Sequence, residues 1–377
     1  MNSTLRKRLW QLAILFLRLG TTAFGGPAVH IAMMREEVVR RRKWLTDAEF
    51  LDLLGATNLI PGPNSTEMAI HVGFRRAGWP GLLVAGACFI LPASLITLVF
   101  AWAYVRFGSL PQASALLYGV KPVLIAIIAQ ALWGLGRTAI KTRMLAGLAV
   151  AAVVANLAGA SELAILGAGG MLALAASRTT KVGKFSSMAV LLSPGTALVG
   201  TASVSLTALF LVFLKVGAVL FGSGYVLLAF LRADLVARWH WLSEAQLLDA
   251  VAVGQVTPGP VFTTATFIGY VLHGGSGALL ATLGIFLPSF VFVAVSGRLV
   301  PLLRRSPAAG ALLDGVNVAS LALMVTVTFY LGRSALVDLP TVAMALLGAL
   351  LLLRFRVNSI WLVLAGALIG VGKWWLR

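Results

Sequence analysis

Residues 16–28 read FLRLGTTAFGGPA, and residues 213–225 read FLKVGAVLFGSGY. The offset of 197 that joins Phe16 to Phe213 runs on without a gap. It pairs Arg35 with Arg232, Trp44 with Trp241, Asp52 with Asp249, and Pro61-Gly62-Pro63 with Pro258-Gly259-Pro260. One residue is then lost. At an offset of 196, Gly73-Phe74 meets Gly269-Tyr270, Leu91-Pro92 meets Leu287-Pro288, and ALLYGV at 115–120 meets ALLDGV at 311–316. An ordered series of this length is one structural unit written twice. The chain divides into a repeat at 1–178, a linker at 179–205 and a second repeat at 206–377.

Composition says what solvent the unit is built for. Of 377 residues, 59% are hydrophobic and 11% charged, with a mean hydropathy of +0.95. Soluble domains carry roughly 25% charged residues. Long apolar runs recur, as at Leu82–Val105, Leu116–Leu135 and Ala278–Val295. Helical runs of about 20 residues match a bilayer core, and the ten-residue alternation of a membrane barrel is not seen. The fold class is an all-α polytopic protein of the cytoplasmic (inner) membrane. The net charge of +18 comes from short basic clusters between apolar runs, such as Arg35–Lys43, Arg137/Lys141/Arg143 and Arg304/Arg305. That is the positive-inside pattern of membrane loops, so no nucleic-acid partner is implied. The lone Cys88 and four scattered histidines imply neither disulfides nor a metal site, and no cofactor is expected. The N-terminus is read as a retained first span, because no small-residue cleavage site precedes Gly20.

Each half parses into five full spans and one broken segment. First helices are expected at 9–33 and 206–231, each with a Gly-rich interruption. Segments at 47–78 and 244–273 are broken by the PGP triplets, because proline removes a donor and ends the preceding helix. Further helices follow at 81–107, 113–137, 143–158 and 161–177, and at 277–300, 308–333, 339–354 and 358–375. The loop at Gly108–Gln112 is uncharged whereas its counterpart contains Arg304 and Arg305. Opposite charge bias in equivalent loops predicts an inverted repeat. The same bias puts Arg35–Lys43 inside and leaves Arg6-Lys7-Arg8 outside, against the rule.

Inverted repeats with helices broken in corresponding places predict a midplane site. One pair of breaks is Phe24-Gly25-Gly26-Pro27 and Phe221-Gly222-Ser223-Gly224; the other runs from Asn58 to Pro63 and from Gln255 to Pro260. Glycine lets a ligand approach the backbone, and a helix restarting after a break offers free N–H groups and a positive dipole end to an anion. The expected contacts are Gly25, Gly26, Asn58, Pro61, Gly62, Pro63, Ser65, Thr66, Gly222, Gly224, Gln255, Pro258, Gly259, Pro260 and Thr263. The bland alternative is that Gly and Pro only kink packed helices, and repetition in both halves weighs against it. Charges inside spans are costly and default to functional candidates. Arg18 and Lys215 are equivalent positions suited to an anion, with snorkelling to an interface as the competing role. Lys121, matched by Asn317, would make the site asymmetric. Glu67, matched by Thr264, is a candidate for proton coupling, with His71 one turn on. Tryptophans at predicted span ends are read as interfacial anchors.

The paired FGG(P/G)-type and PGP motifs, with the downstream Gly-Phe/Tyr and Leu-Pro elements, resemble the chromate ion transporter family in its long, two-domain form. The resemblance covers about 10–140 and 206–335 and implies gradient-driven export of chromate, conferring resistance, with sulfate as the look-alike oxyanion. The implied partners are the oxyanion, the bilayer, H+ as coupling ion and a second copy of the chain in a homodimer. FGGP becomes FGSG at 221–224 and Glu67 has no acidic partner, so the halves are not expected to contribute equally. The alternative within transport is a carrier or channel for another anion or small solute. From another class, a membrane enzyme would need a polar catalytic cluster, and no Ser/His/Asp, HExxH or P-loop pattern appears.

Overall fold

A computed structural model describes residues 3–24, 26–108, 110–179, 204–221, 224–304, 306–355 and 357–375, and among these all regular structure is helical. Most of the linker lies outside the described residues. The first repeat builds α1 (Ser3–Thr22), α2 (Gly26–Arg35), α3 (Asp47–Thr57), α4 (Asn64–Phe107), α5 (Pro111–Ala139), α6 (Arg143–Leu157) and α7 (Glu162–Thr179). Their counterparts are α8 (Leu206–Val219), α9 (Leu227–Leu231), α10 (Glu244–Val256), α11 (Thr264–Arg304), α12 (Pro307–Ala335), α13 (Leu339–Phe355) and α14 (Ser359–Trp375).

The first helix does not run to residue 33 as the sequence suggested. α1 stops at Thr22, Gly26 takes a positive φ of 78°, and Pro27 brings no donor, so the chain reverses. α2 returns beside α1, with His30 Nε2 3.0 Å from Ala23 O and Arg18 2.5 Å from Glu37. This reversal corrects one expectation of topology. Arg8 shares a pocket with Trp44, Arg75 and Arg76, so the N-terminal basic cluster lies on the same face as the Arg35–Lys43 cluster.

A second reversal follows at each PGP. Thr46 and Ser243 cap α3 and α10 with capping boxes, which start both helices where the sequence placed them. α4 is two arms joined by non-helical Ala77 and Gly78, and α11 repeats this at His273 and Gly274. Gly73 packs on the backbone of Gly81, a pair about 12 Å apart in a continuous helix. Glu49, at the start of α3, meets Arg75, at the end of the first arm, at 3.3 Å. The PGP is therefore the tip of a helical hairpin whose 11-residue α3 is about 16 Å long, half a bilayer core.

The two repeats exchange helices. α5 packs on α13 and α14 of the second half, and α12 on α6 and α7 of the first. Small residues allow this, with Gly119 against Gly366 and Gly315 against Gly169. The equivalent helices α5 and α12 run antiparallel. Tyr118 bonds to Asp338 at one end, Leu321 packs over Gly136, and Lys141 pairs with Asp314 at 2.7 Å near the other. Among the described residues, four helical stretches are long and apolar enough to cross a membrane, with shorter apolar helices beside them. Leu83, Leu91, Leu95 and Val99 form an exposed apolar stripe, and Leu279, Leu287, Val291 and Val295 repeat it. Stripes of this size facing outward mark a lipid surface.

Candidate substrate cavity

The two kinds of hairpin put four chain breaks at one place. A cavity of about 590 Å³ is walled by Gly26 and Pro27 from the first break, Asn58, Pro63, Asn64 and Ser65 from the second, and Gly224, Pro260 and Val261 from their counterparts. The helix beginning at Asn64 follows Pro63 and has no side-chain cap. Its leading N–H groups have no intrahelical acceptor and carry the positive end of the helix dipole. Asn64 Nδ2 donates to Asn58 Oδ1 at 2.7 Å, and Ser320 Oγ on the α12 wall is buried without a partner. Uncapped helix starts with amide and hydroxyl donors form a lining suited to an anion.

The tips are tied across the halves by matched hydrogen bonds. Gly62 N donates to Leu220 O at 2.8 Å, and Gly259 N donates to Ala23 O at 2.9 Å. Ala23 and Leu220 stand at the 197-residue offset, as do the two glycines. Both glycines have positive φ, 140° and 89°, and a Cβ would strike Glu67 at the first and Ala93 at the second. Only glycine fits there.

The structure separates the expected contact residues into two groups. Gly26, Asn58, Pro63, Ser65, Gly224 and Pro260 line the cavity. Pro61, Gly62, Pro258 and Gly259 form the backs of the tips, and Gln255 lies on α10; none of these is on the cavity wall. Thr66 and Thr263 are buried behind the tips, where Thr263 Oγ1 donates to Pro260 O at 2.9 Å. Gly25 and Gly222 lie outside the described residues. Glu67 is wholly buried, faces Gly62, and has no hydrogen-bond partner for either carboxyl oxygen. Ser289 Oγ beside Gly62 is likewise unpartnered, as is His71 Nε2 further along the arm.

The three candidate cations are placed differently from expectation: each is neutralised by a carboxylate off the cavity wall. Arg18 pairs with Glu37, and Lys215 pairs with the equivalent Asp234 at 2.6 Å. Reversal of the chain after α1 and α8 brings these acids alongside. Lys121 sits 2.9 Å from Asp249, which also accepts from Tyr104 Oη at 3.0 Å. The charged pair that does line the cavity is Lys141–Asp314, at the ends of α5 and α12. Polar Asn317 and Ser320 in an otherwise apolar span are the signal that could have pointed to that wall. At the opposite end of α5, Tyr118, Thr341 and Lys373 surround Asp338. Donation from Tyr118, first among these, holds the Asp338 carboxyl below the usual carboxylate range.

A family profile described as Chromate transporter matches the chain twice, over residues 10–174 and 207–371. The chain belongs to the chromate transporter family. A chromate transport protein of Cupriavidus metallidurans is 35% identical over 96% of this chain and 92% of its own length. A probable chromate transport protein of Synechococcus elongatus is 33% identical over 90% of this chain and 88% of its own. A chromate transport protein of Pseudomonas aeruginosa is 30% identical over 96% and 91%. No solved structure matches. The two profile matches coincide with the two repeats, so each copy of the family unit supplies two of the four breaks around the cavity.

Proposed function

We propose that this chromate transporter family member is a secondary transporter that exports chromate across the cytoplasmic membrane. The observation that carries the reading is the convergence of four uncapped or proline-led helix breaks on one cavity. Chromate transport proteins at 35% and 30% identity over nearly the whole chain name the cargo. Sulfate, a tetrahedral dianion of similar size, is the expected competitor.

The antiparallel run of α5 and α12, with contacts at both ends, supports an inverted repeat. Charge supports an orientation. The second arm of α4 leaves the face where Trp44 and Arg76 meet, and after a short connection α5 returns to it. The cavity reaches Thr138 and Lys141 at that end. Basic loops gather there, which supports reading it as the cytoplasmic face, and the proposed exporter loads its cargo from that side. Glu67 is proposed as the carrier of the coupling proton, because an unpartnered carboxyl buried beside a substrate tip is costly without a function. A passive pore fits less well. Leu331 and Ala335 of α12 are 0% and 4% exposed, whereas the matching α5 positions Leu135 and Ala139 line the open cavity.

Proteoliposomes holding the purified protein should move radiolabelled chromate only under an imposed pH gradient or potential, with sulfate competing. Flux equal to that of empty liposomes would overturn the assignment.

A further inference from the structure

The two faces of the molecule are unequal although the repeats that build them match. Leu135 of α5 lines the cavity, while its counterpart Leu331 of α12 is fully buried. Asn317 lines the same cavity, and its counterpart across the repeat is Lys121. Lys121 is not on the wall of that cavity. Its ammonium is held 2.9 Å from Asp249, with side-chain exposures of 18% and 6%, and Tyr104 donates to the same carboxylate. The pair bridges α5 of the first repeat and α10 of the second, so it fastens the halves on the closed side. An ion pair so buried is seldom favourable for stability alone, and an amide already suffices at the equivalent place.

We infer that Lys121 is the cation that binds the oxyanion when the cavity opens to the other face, and that Asp249 holds its place until then. The inference rests on the transport reading above. Inverted repeats change access when each half takes the other's conformation. In that exchange α12 parts from its neighbours as α5 has done here, and the new wall carries Lys121 where the present wall carries Asn317. Opening therefore separates Lys121 from Asp249 and leaves an ammonium facing the tips. A dianion compensates that charge. The empty carrier pairs it with Asp249 again, so the ammonium faces a counter-charge in both the loaded and the closed form.

The test uses full-length protein with Cys88→Ser and one introduced cysteine, either Leu135→Cys or Leu331→Cys, in sealed vesicles of both orientations. A membrane-impermeant maleimide should label Leu135→Cys from the face bearing Trp44 and leave Leu331→Cys untouched. Asp249→Asn should raise labelling of Leu331→Cys from the other face severalfold and lower that of Leu135→Cys. Leu331→Cys that stays unlabelled in Asp249→Asn protein still transporting chromate would overturn the gate. In the Asp249→Asn background chromate should slow labelling of Leu331→Cys. Adding Lys121→Asn should raise the chromate concentration for half-protection by about tenfold or more, the loss expected for one charge-assisted contact. An unchanged concentration would overturn the role of Lys121. A single symmetric peak at the parent protein's elution volume in detergent size-exclusion chromatography reports that the variants fold. If access shifts as expected but chromate protects neither cysteine, the cargo assignment fails and the anion role of Lys121 with it.

Discussion

Glu67 shows what a single residue can and cannot disclose. An acid five residues past the first PGP glycine is readable as an anomaly in an apolar stretch, and it is buried behind Gly62 with both oxygens unpartnered. Arg18 looked equally anomalous, yet it is paired with Glu37, nineteen residues on. The difference is one of chain path: a partner becomes visible only once the reversal at Gly26-Pro27 is known. A proton carrier at Glu67 leads to a specific expectation. Glu67→Gln keeps the shape and removes the titratable group, so a pH gradient should no longer drive chromate uptake in proteoliposomes. Chromate–chromate exchange across the same vesicles should persist, because it needs no net proton movement. Uptake that still follows the imposed gradient in Glu67→Gln would remove this residue from coupling.

At the scale of elements, the breaks were legible and their direction was not. Proline and glycine at 25–27, 61–63 and 258–260 mark where helices must stop, and the Thr46 and Ser243 caps mark where α3 and α10 start. Periodicity carries no information about whether the next helix continues or doubles back. That is decided by contacts such as Glu49–Arg75 and by the Gly73–Gly81 approach, which join residues through packing alone. The tips make a quantitative test possible. A Cβ at Gly259 would lie 2.7 Å from Ala93 Cβ in a backbone of positive φ, whereas one at Gly26 would meet nothing within 4 Å. Gly259→Ala should cost about 2 to 4 kcal/mol from strain and overpacking together. Gly26→Ala bears only the backbone strain, about 1 to 2 kcal/mol. Thermal unfolding in detergent should give a lower Tm for Gly259→Ala than for Gly26→Ala; equal values would mean the tips are not packed as described.

For the whole molecule, the charges of the loops and the packing of the helices both bear on the inverted repeat proposed above. Opposite loop charge predicted opposite insertion of the halves, and α5 and α12 run antiparallel with Tyr118 near Asp338 and Lys141 near Asp314. The N-terminal Arg6-Lys7-Arg8 cluster violated the rule only while the first helix was read as a full crossing. With the chain turned back at Gly26-Pro27, Arg8 joins Trp44 and Arg76 on the basic face and the violation disappears. Leu110, before α5, and Ser306, before α12, are equivalent connections that inversion places on opposite sides. In a Cys88→Ser background, Ser306→Cys should label with an impermeant maleimide from the cytoplasmic side, and Leu110→Cys from the outside. Labelling of both from one side would require the halves to insert in parallel, and the antiparallel α5–α12 contact could not then form within a single membrane-spanning fold.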